Sequence, residues 1–243
     1  MRLTKQEGRN RINEGLTRIK RIKERYGFLE KHSRVLVGVS GGVDSSVLVA
    51  LLHEYSTRYS ENWKIHACFV DSNIHGKIRI DVEKYLRSIG IAYTVIKSNI
   101  PRSKSPKISM CYTCSRQRRK ALLEVAESMN IQQIALAHHK QDVAETLILN
   151  MIYNGETSTF VPKQSVIQGR HFFIRPIYEF EKKEIKTIAV LYDIPHVKTG
   201  CPHFKDSKRN TVRKFLEHCR KDNPAVYKNI FRAVRQIKRT YLP

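Results

Sequence analysis

The sequence predicts an α/β fold: a Rossmann-like parallel sheet of about five strands with helices on both faces, extended by basic N- and C-terminal helices. Short apolar runs rich in β-branched residues alternate with stretches of helical periodicity, which is the spacing of parallel βαβ units with right-handed crossovers. The 243 residues are enough for one sizeable core with an appendage and too few for two large domains. Small and polar clusters follow the strand ends, where ligands bind in sheets of this kind.

Taken in order, Arg2 to Tyr26 sets Ile12, Leu16, Ile19 and Ile22 at helical spacing among Lys and Arg, a basic amphipathic helix. Val35 to Val39 is a strand that meets the turn Ser40-Gly41-Gly42, and a helix runs from Asp44 to about Tyr55. Trp63 to Val70 is a second strand leading into Asp71, followed by a helix over Lys77 to Ile89 with Ile78, Val82, Leu86 and Ile89 in register. Ala92 to Lys97 is the third strand. Ser98 to Met110, rich in Pro, Ser and Lys, reads as an exposed loop. A helix over Tyr112 to Met129 precedes the strand Ile131 to Ala137, and a helix over Gln141 to Tyr153 turns Val143, Leu147, Ile148 and Met151 inward. Phe172 to Arg175 is a short strand, Glu181 to Tyr192 a helix and Gly200-Cys201-Pro202 a turn. Two basic helices follow, Asn210 to Arg220 and Pro224 to Tyr241, the second with Val226, Ile230, Val234 and Ile237 on one face. The chain thus divides into a basic helix (1–30), a nucleotide-binding-type domain (31–200) and a basic C-terminal segment (201–243).

The formal net charge is +23 with a pI near 10, against a magnitude of about 2 to 8 for a small soluble domain. A polyanionic partner is implied, nucleic acid first. A membrane surface is the rival, but no segment approaches ~18 consecutive apolar residues and the first residues lack the apolar core of a signal peptide. The expectation is a cytoplasmic protein. The five cysteines, an odd number, argue for metal or redox use rather than a disulfide framework.

Val35 to Val47, VLVGVSGGVDSSV, is a strand, a small-residue loop and a helix start. N–H groups at such a start have no intrahelical partner and sit at the positive end of the helix dipole, so they hold anions, and the glycines let a phosphate approach. Gly38, Val39, Ser40, Gly41, Gly42, Asp44 and Ser45 are the candidate phosphate-binding residues. The bland alternative is an ordinary turn with Ser45 or Asp44 as N-cap. It is not a Walker A loop, because the GxxxxGK[ST] spacing is absent. Parallel topology brings Val70 to Ser72 and Ala137 to Asp142 to the same crevice, adding Val70, Ala137 and Asp142 to the candidates.

Cys111 and Cys114 form a CxxC at a helix start, a place that favours thiolates. Cys201, in its Gly-Cys-Pro turn, is the third candidate ligand; Cys68, mid-strand, and Cys219, on an apolar helix stripe, read as core residues. Three sulfurs suit a structural zinc completed by His203, or a 4Fe-4S cluster with one iron open to an exogenous sulfur. On spacing the two stand level, and a redox pair or inert thiols remain open.

The loop SGGVDS (Ser40 to Ser45) resembles that of the N-type ATP pyrophosphatases, which cleave ATP to AMP and pyrophosphate on an adenine nucleotide alpha hydrolase-like fold. Together with CYTCSRQRRKAL (Cys111 to Leu122), LAHHKQDVAETLILNM (Leu136 to Met151), Ile174 to Pro176 and the turn at Cys201, it resembles the tRNA 2-thiocytidine synthetase family over about Ser33 to Cys219. Val43 stands where members closest to the cytidine-32 enzyme usually have Lys, and no second cysteine follows near Cys201.

The resemblance implies an ATP-dependent tRNA sulfurtransferase with a 4Fe-4S cluster on Cys111, Cys114 and Cys201. Asp44, a carboxylate beside bound phosphates, is a candidate for Mg²⁺ or for orienting the attacking group, Asp142 is a candidate for Mg²⁺, for the nucleotide or for the N-cap of its helix, and Arg118 is a candidate for the transferring phosphoryl group or a tRNA phosphate. The target is a pyrimidine C2 oxygen, cytidine-32 first and a uridine second, with sulfur from a cysteine desulfurase or free sulfide. Arg18, Arg21, Arg119, Lys208 and Arg213 are the expected tRNA contacts, and a homodimer is the expected assembly. The rivals are a lysidine synthetase type of tRNA modifier, which has no use for the cysteines, and a zinc or iron-sulfur RNA-binding module without catalysis, against which Asp44 and Ser45 speak.

Overall fold

The computed structural model describes residues 4–71, 76–98, 110–195, 207–238 and 240. The elements are α1 (Lys5–Tyr26), β1 (Arg34–Val39), α2 (Val43–Arg58), β2 (Lys64–Asp71), α3 (Gly76–Ser88), β3 (Ala92–Lys97) and α4 (Met110–Ser128). After them come β4 (Gln133–Ala135), α5 (Lys140–Asn154), β5 (Lys163–Val166), β6 (His171–Ile174), α6 (Lys182–Leu191), α7 (Lys208–Asp222) and α8 (Val226–Ala233). Cys201 and His203 with their turn, Ser72, and the loop between Ser98 and Met110 lie outside the described residues.

The strands form one sheet in the order β3-β2-β1-β4-β6-β5, parallel throughout except for the β5–β6 pair. Val35, Leu36 and Val37 are fully buried because β1 is central and covered on both faces, as a continuous apolar run requires. One face is closed by α1, α2 and α6 around Leu16, Ile19, Val47, Leu51 and Ile185, and the other by α4 through Ala121, Leu122 and Ala126. Strand β1 has β2 on one side and β4 on the other, so the order in which strands are added reverses there and a crevice opens beyond its carboxyl end.

The expected parallel α/β sheet is present, with six strands rather than about five. The sixth, β5, is a polar edge strand, Lys-Gln-Ser-Val, with none of the apolar alternation that marks a half-buried strand. Two further expectations change. Met151 is 49% exposed rather than inward, because α7 and α8 pack on Ala144 and Ile148 and not on the last turn of α5. The last helix stops at Ala233 and leaves Ile237 exposed, because the chain tightens there into i→i−3 bonds from Arg235 and Gln236.

Helix α1 starts on a Thr4–Glu7 capping box and ends at Gly27 in the left-handed conformation. It is part of the core rather than a free arm. Arg18 pairs with Glu184 at 2.9 Å and stacks over Phe180, and Arg21 pairs with Glu179, so both cations tie α1 to the segment that enters α6.

Candidate active site

Beyond the carboxyl ends of β1 and β4 lies a crevice of about 910 Å³. Gly38, Val39, Ser40, Asp44, Ser45, Val70, Ala137 and Asp142 of the expected nucleotide set line it, and so do Cys111, Arg118, Arg119 and Lys208. Gly41 and Gly42 form the loop backbone, and Cys114, half-buried one turn beyond Cys111, is not part of the lining. Cys111 is exposed at the rim. Burial pushes the thiol of Cys68 up to about 12, as befits a core cysteine.

The loop is locked by one hydroxyl. Ser45 Oγ accepts from the Ser40 N–H at 3.2 Å and donates to the Gly42 carbonyl at 2.8 Å, while the Gly42 N–H donates to Ser40 Oγ at 3.3 Å. Gly41 has φ 79°, which a glycine adopts without strain. Gly38 has a packing reason of its own: a Cβ there would come within 2.9 Å of Leu122 on α4. The N-cap of α2 is Gly42, which offers no side-chain bond to the first turn, so the helix presents its N–H groups to an anion.

Asp44 has both carboxylate oxygens on the ammonium of Lys182, the first residue of α6. The neighbouring His139 Nε2 stands 3.8 Å from Asp44 and 3.5 Å from Asp142. His139 also caps α5, its Nδ1 accepting from the Gln141 N–H and its own N–H donating to Asp142 at 3.0 Å. Burial alone would raise the pKa of Asp142; His139, His138, the His139 backbone N–H and Arg209 outweigh it and hold the carboxyl below its ordinary value.

His138 is stacked on Phe160, centroids 4.2 Å apart, and its Nδ1 accepts from Arg175 Nε at 3.2 Å. Burial foremost, with Arg175, Arg209 and His139 adding to it against Asp142, pushes this imidazole down to about 3, so it is neutral with its proton on Nε2. Arg175 itself is 1% exposed and bonds the Val161 carbonyl at 2.6 Å and Gln164 Oε1 at 3.0 Å. Burial and nearby Arg119 lower its pKa to about 10, which leaves it cationic.

Helix α4 supplies Cys111, Tyr112, Arg118 and Arg119 to one wall, with Arg119 bonded to Ser115 at 3.3 Å. Helix α7 supplies the opposite wall. Ser207 caps it, Lys208 lies over the Tyr153 ring at 4.6 Å, and Arg209 bonds Thr146 at 3.2 Å. Arg213 turns away from the crevice and grips Glu145 through two bonds of 2.8 and 2.9 Å, which anchors α7 to α5. Among the described lining residues Arg118, Arg119, Lys208 and Arg209 face Asp44 and Asp142, a balance that favours an anion.

Asp44 and Asp142 both approach the Nε2 atom of His139. Mg²⁺ is commonly held by one or two carboxylates with substrate phosphates completing the shell, so this donor pair fits it. The thiols of Cys111 and Cys114 are soft donors that suit iron-sulfur ligation, with Cys201 outside the described residues. Among the described residues no group of three or more His, Cys, Asp or Glu side chains forms a complete metal site.

The PP-loop domain matches residues 13–219, which span α1 to α7. The chain belongs to the PP-loop family. A tRNA-cytidine(32) 2-sulfurtransferase of Cupriavidus necator is 30% identical over 222 residues, covering 89% of this chain and 71% of the relative. One of Bdellovibrio bacteriovorus is 30% identical over 89% of this chain and 85% of the relative. These PP-loop relatives place the chain in the tRNA 2-thiocytidine synthetase-like group. Among solved structures, the U34-tRNA thiolase NcsA of Methanococcus maripaludis, with its 4Fe-4S cluster, shares the fold at TM-score 0.76 and 23% identity, over 94% of this chain and 78% of that one.

Sequence reasoning singled out the loop, Asp142 and Cys111 of this crevice but not Lys182, Arg175, Phe160, Tyr153 or Arg209. Lys182 meets Asp44 across 138 residues, and no local pattern marks such a contact. The run Ile174 to Pro176 was the one available signal for Arg175.

Proposed function

We propose that this protein is an ATP-dependent tRNA sulfurtransferase that adenylates the C2 oxygen of a pyrimidine, cytidine-32 foremost, and replaces that oxygen with sulfur to give 2-thiocytidine. One observation carries the reading: a single crevice joins the Ser40–Ser45 phosphate loop, two carboxylates and the thiol of Cys111, between two cationic helices.

A C2 carbonyl oxygen is a poor leaving group. Attack of that oxygen on the α-phosphorus of ATP expels pyrophosphate and makes the oxygen part of an AMP leaving group, which sulfide then displaces. The first-turn N–H groups of α2 and the Ser40 hydroxyl hold the phosphates. Asp44 and Asp142 would hold Mg²⁺, which would neutralise triphosphate charge. Arg118 and Arg119 face the charge that develops on the phosphoryl group or bind a tRNA phosphate. His138 presents a neutral N–H donor on the crevice wall. Cys111 and Cys114, with Cys201, would hold a 4Fe-4S cluster, which would supply the sulfide chemistry of the second step. Lys208 and Arg209 extend the cationic wall toward the tRNA backbone.

The test is in three parts. Protein purified without oxygen should show the broad charge-transfer absorption of a 4Fe-4S cluster, and colourless protein with one tightly bound zinc would overturn sulfur delivery. Binding of tRNA should weaken steeply with salt, and a salt-independent affinity would contradict the cationic interface. Nucleosides from tRNA of cells lacking the gene should lack 2-thiocytidine; loss of a 2-thiouridine would name the other pyrimidine, and an unchanged profile would overturn thiolation.

A further inference from the structure

The phosphate loop, Ser40 to Ser45, carries a carboxylate at Asp44 and neither lysine nor arginine. An unneutralised carboxylate beside a triphosphate repels it, so until a divalent cation binds, the compensating charge at this end of the site comes from elsewhere in the chain. The structure supplies one. Lys182 places its ammonium on both oxygens of Asp44.

The start of α6 is held in place for this. The Lys182 N–H donates to Gln141 Oε1 of α5 at 3.0 Å, and the Glu181 N–H bonds Glu184 at 2.7 Å. The cations around Lys182 are committed to carboxylates that do not line the crevice: Lys140 and Lys183 to Glu181, and Arg18 to Glu184. Lys182 alone in this group has the loop carboxylate as its partner. The pair is also loose enough to exchange, with side chains 35% and 27% exposed, and ion pairs that water reaches contribute little stability. A long flexible stem lets an ammonium move by a few ångströms while α6 stays fixed.

We propose that Lys182 is the cation of the phosphate loop: it rests on Asp44 in the free protein and moves onto the β- and γ-phosphoryl oxygens when a nucleoside triphosphate enters. The move leaves Asp44 open to a divalent cation. The proposal deepens the ATP-site reading above and rests on it. It also accounts for a loop without a basic residue of its own.

Equilibrium binding of ATP and of AMP to the full chain, in EDTA and again with magnesium, tests it. In EDTA, Lys182→Met should weaken ATP binding about tenfold or more, the loss expected for a charged hydrogen bond, while AMP, which lacks the β- and γ-phosphates, binds as to wild type. Lys182→Arg, which keeps the cation, should restore most of the ATP affinity. Lys182→Met with unchanged ATP affinity, or with ATP and AMP weakened alike, overturns the proposal. A wild-type protein that binds no ATP at all overturns the ATP reading together with it, whereas tight wild-type binding with an indifferent Lys182→Met defeats the Lys182 proposal alone.

Discussion

The two ends of the crevice are built in opposite ways. At the phosphate end the groups are fastened before any ligand arrives: Ser45 locks the loop, His139 caps α5 and stands between Asp44 and Asp142, and Lys182 closes on Asp44. At the thiol end Cys111 projects from the rim on the first turn of α4, whose apolar anchors Leu122 and Ala126 lie about three and four turns further along. The difference teaches where each end gets its precision. The phosphate end takes it from hydrogen bonds around the loop, and the thiol end takes it from the packing of α4 on the sheet.

Substitutions should therefore separate the two ends. The largest effect belongs to Asp44→Ala, which should lower kcat/KM for ATP-dependent thiolation about 100-fold or more while leaving the iron-sulfur absorption in place, as steady-state assays and a visible spectrum would record. Cys111→Ser should do the reverse. It should abolish the absorption and thiolation yet keep ATP affinity within about twofold and stability within about 0.5 kcal/mol, since the residue is exposed.

Smaller effects test the scaffold behind the cationic wall. Glu145 is 4% exposed and carries a two-pronged bond from Arg213, so Glu145→Gln should cost about 2 kcal/mol in a denaturant titration and loosen α7 with Lys208 and Arg209. Weaker tRNA binding with normal ATP affinity would accompany it.

A separate effect is in pH. The imidazole of His138 has a folded pKa of about 3 against an ordinary value near 6.5, so between those values the unfolded chain takes up the proton and the folded one does not. Stability contributed by the neutral ring is complete above about pH 6.5 and falls as the pH drops toward 3. The lowered pKa of Asp142 acts in the same sense at the acid end of that window. His138→Phe should flatten the slope of stability against pH between 4 and 6, measured by urea midpoints, whereas Cys111→Ser should leave it unchanged.

Much of the nucleotide end was legible in the sequence because its signals are local. Glycines, Asp44 and Ser45 lie within a few residues of one another, and alternating apolar runs set the parallel strands whose ends bring Val70 and Ala137 beside them. Polar strand β5 and the pairings of Arg18, Arg21 and Arg213 were not legible. A surface arginine in the sequence looks the same whether it meets water, tRNA or, as here, Glu184, Glu179 or Glu145. Lys182 and Arg175 act across long separations, and composition at their positions carries no trace of the partner.

The central claim is that ATP activation and sulfur transfer share this crevice. Incubating the anaerobically reconstituted protein with unmodified tRNA, sulfide and ATP, then digesting the tRNA for mass spectrometry, tests it most directly. The expected result is 2-thiocytidine formed together with AMP and pyrophosphate, and none when ATP is left out or when Asp44→Ala or Cys111→Ser replaces the wild type. A thionucleoside formed equally well without ATP, or ATP cleavage with no sulfur entering the tRNA, would contradict it.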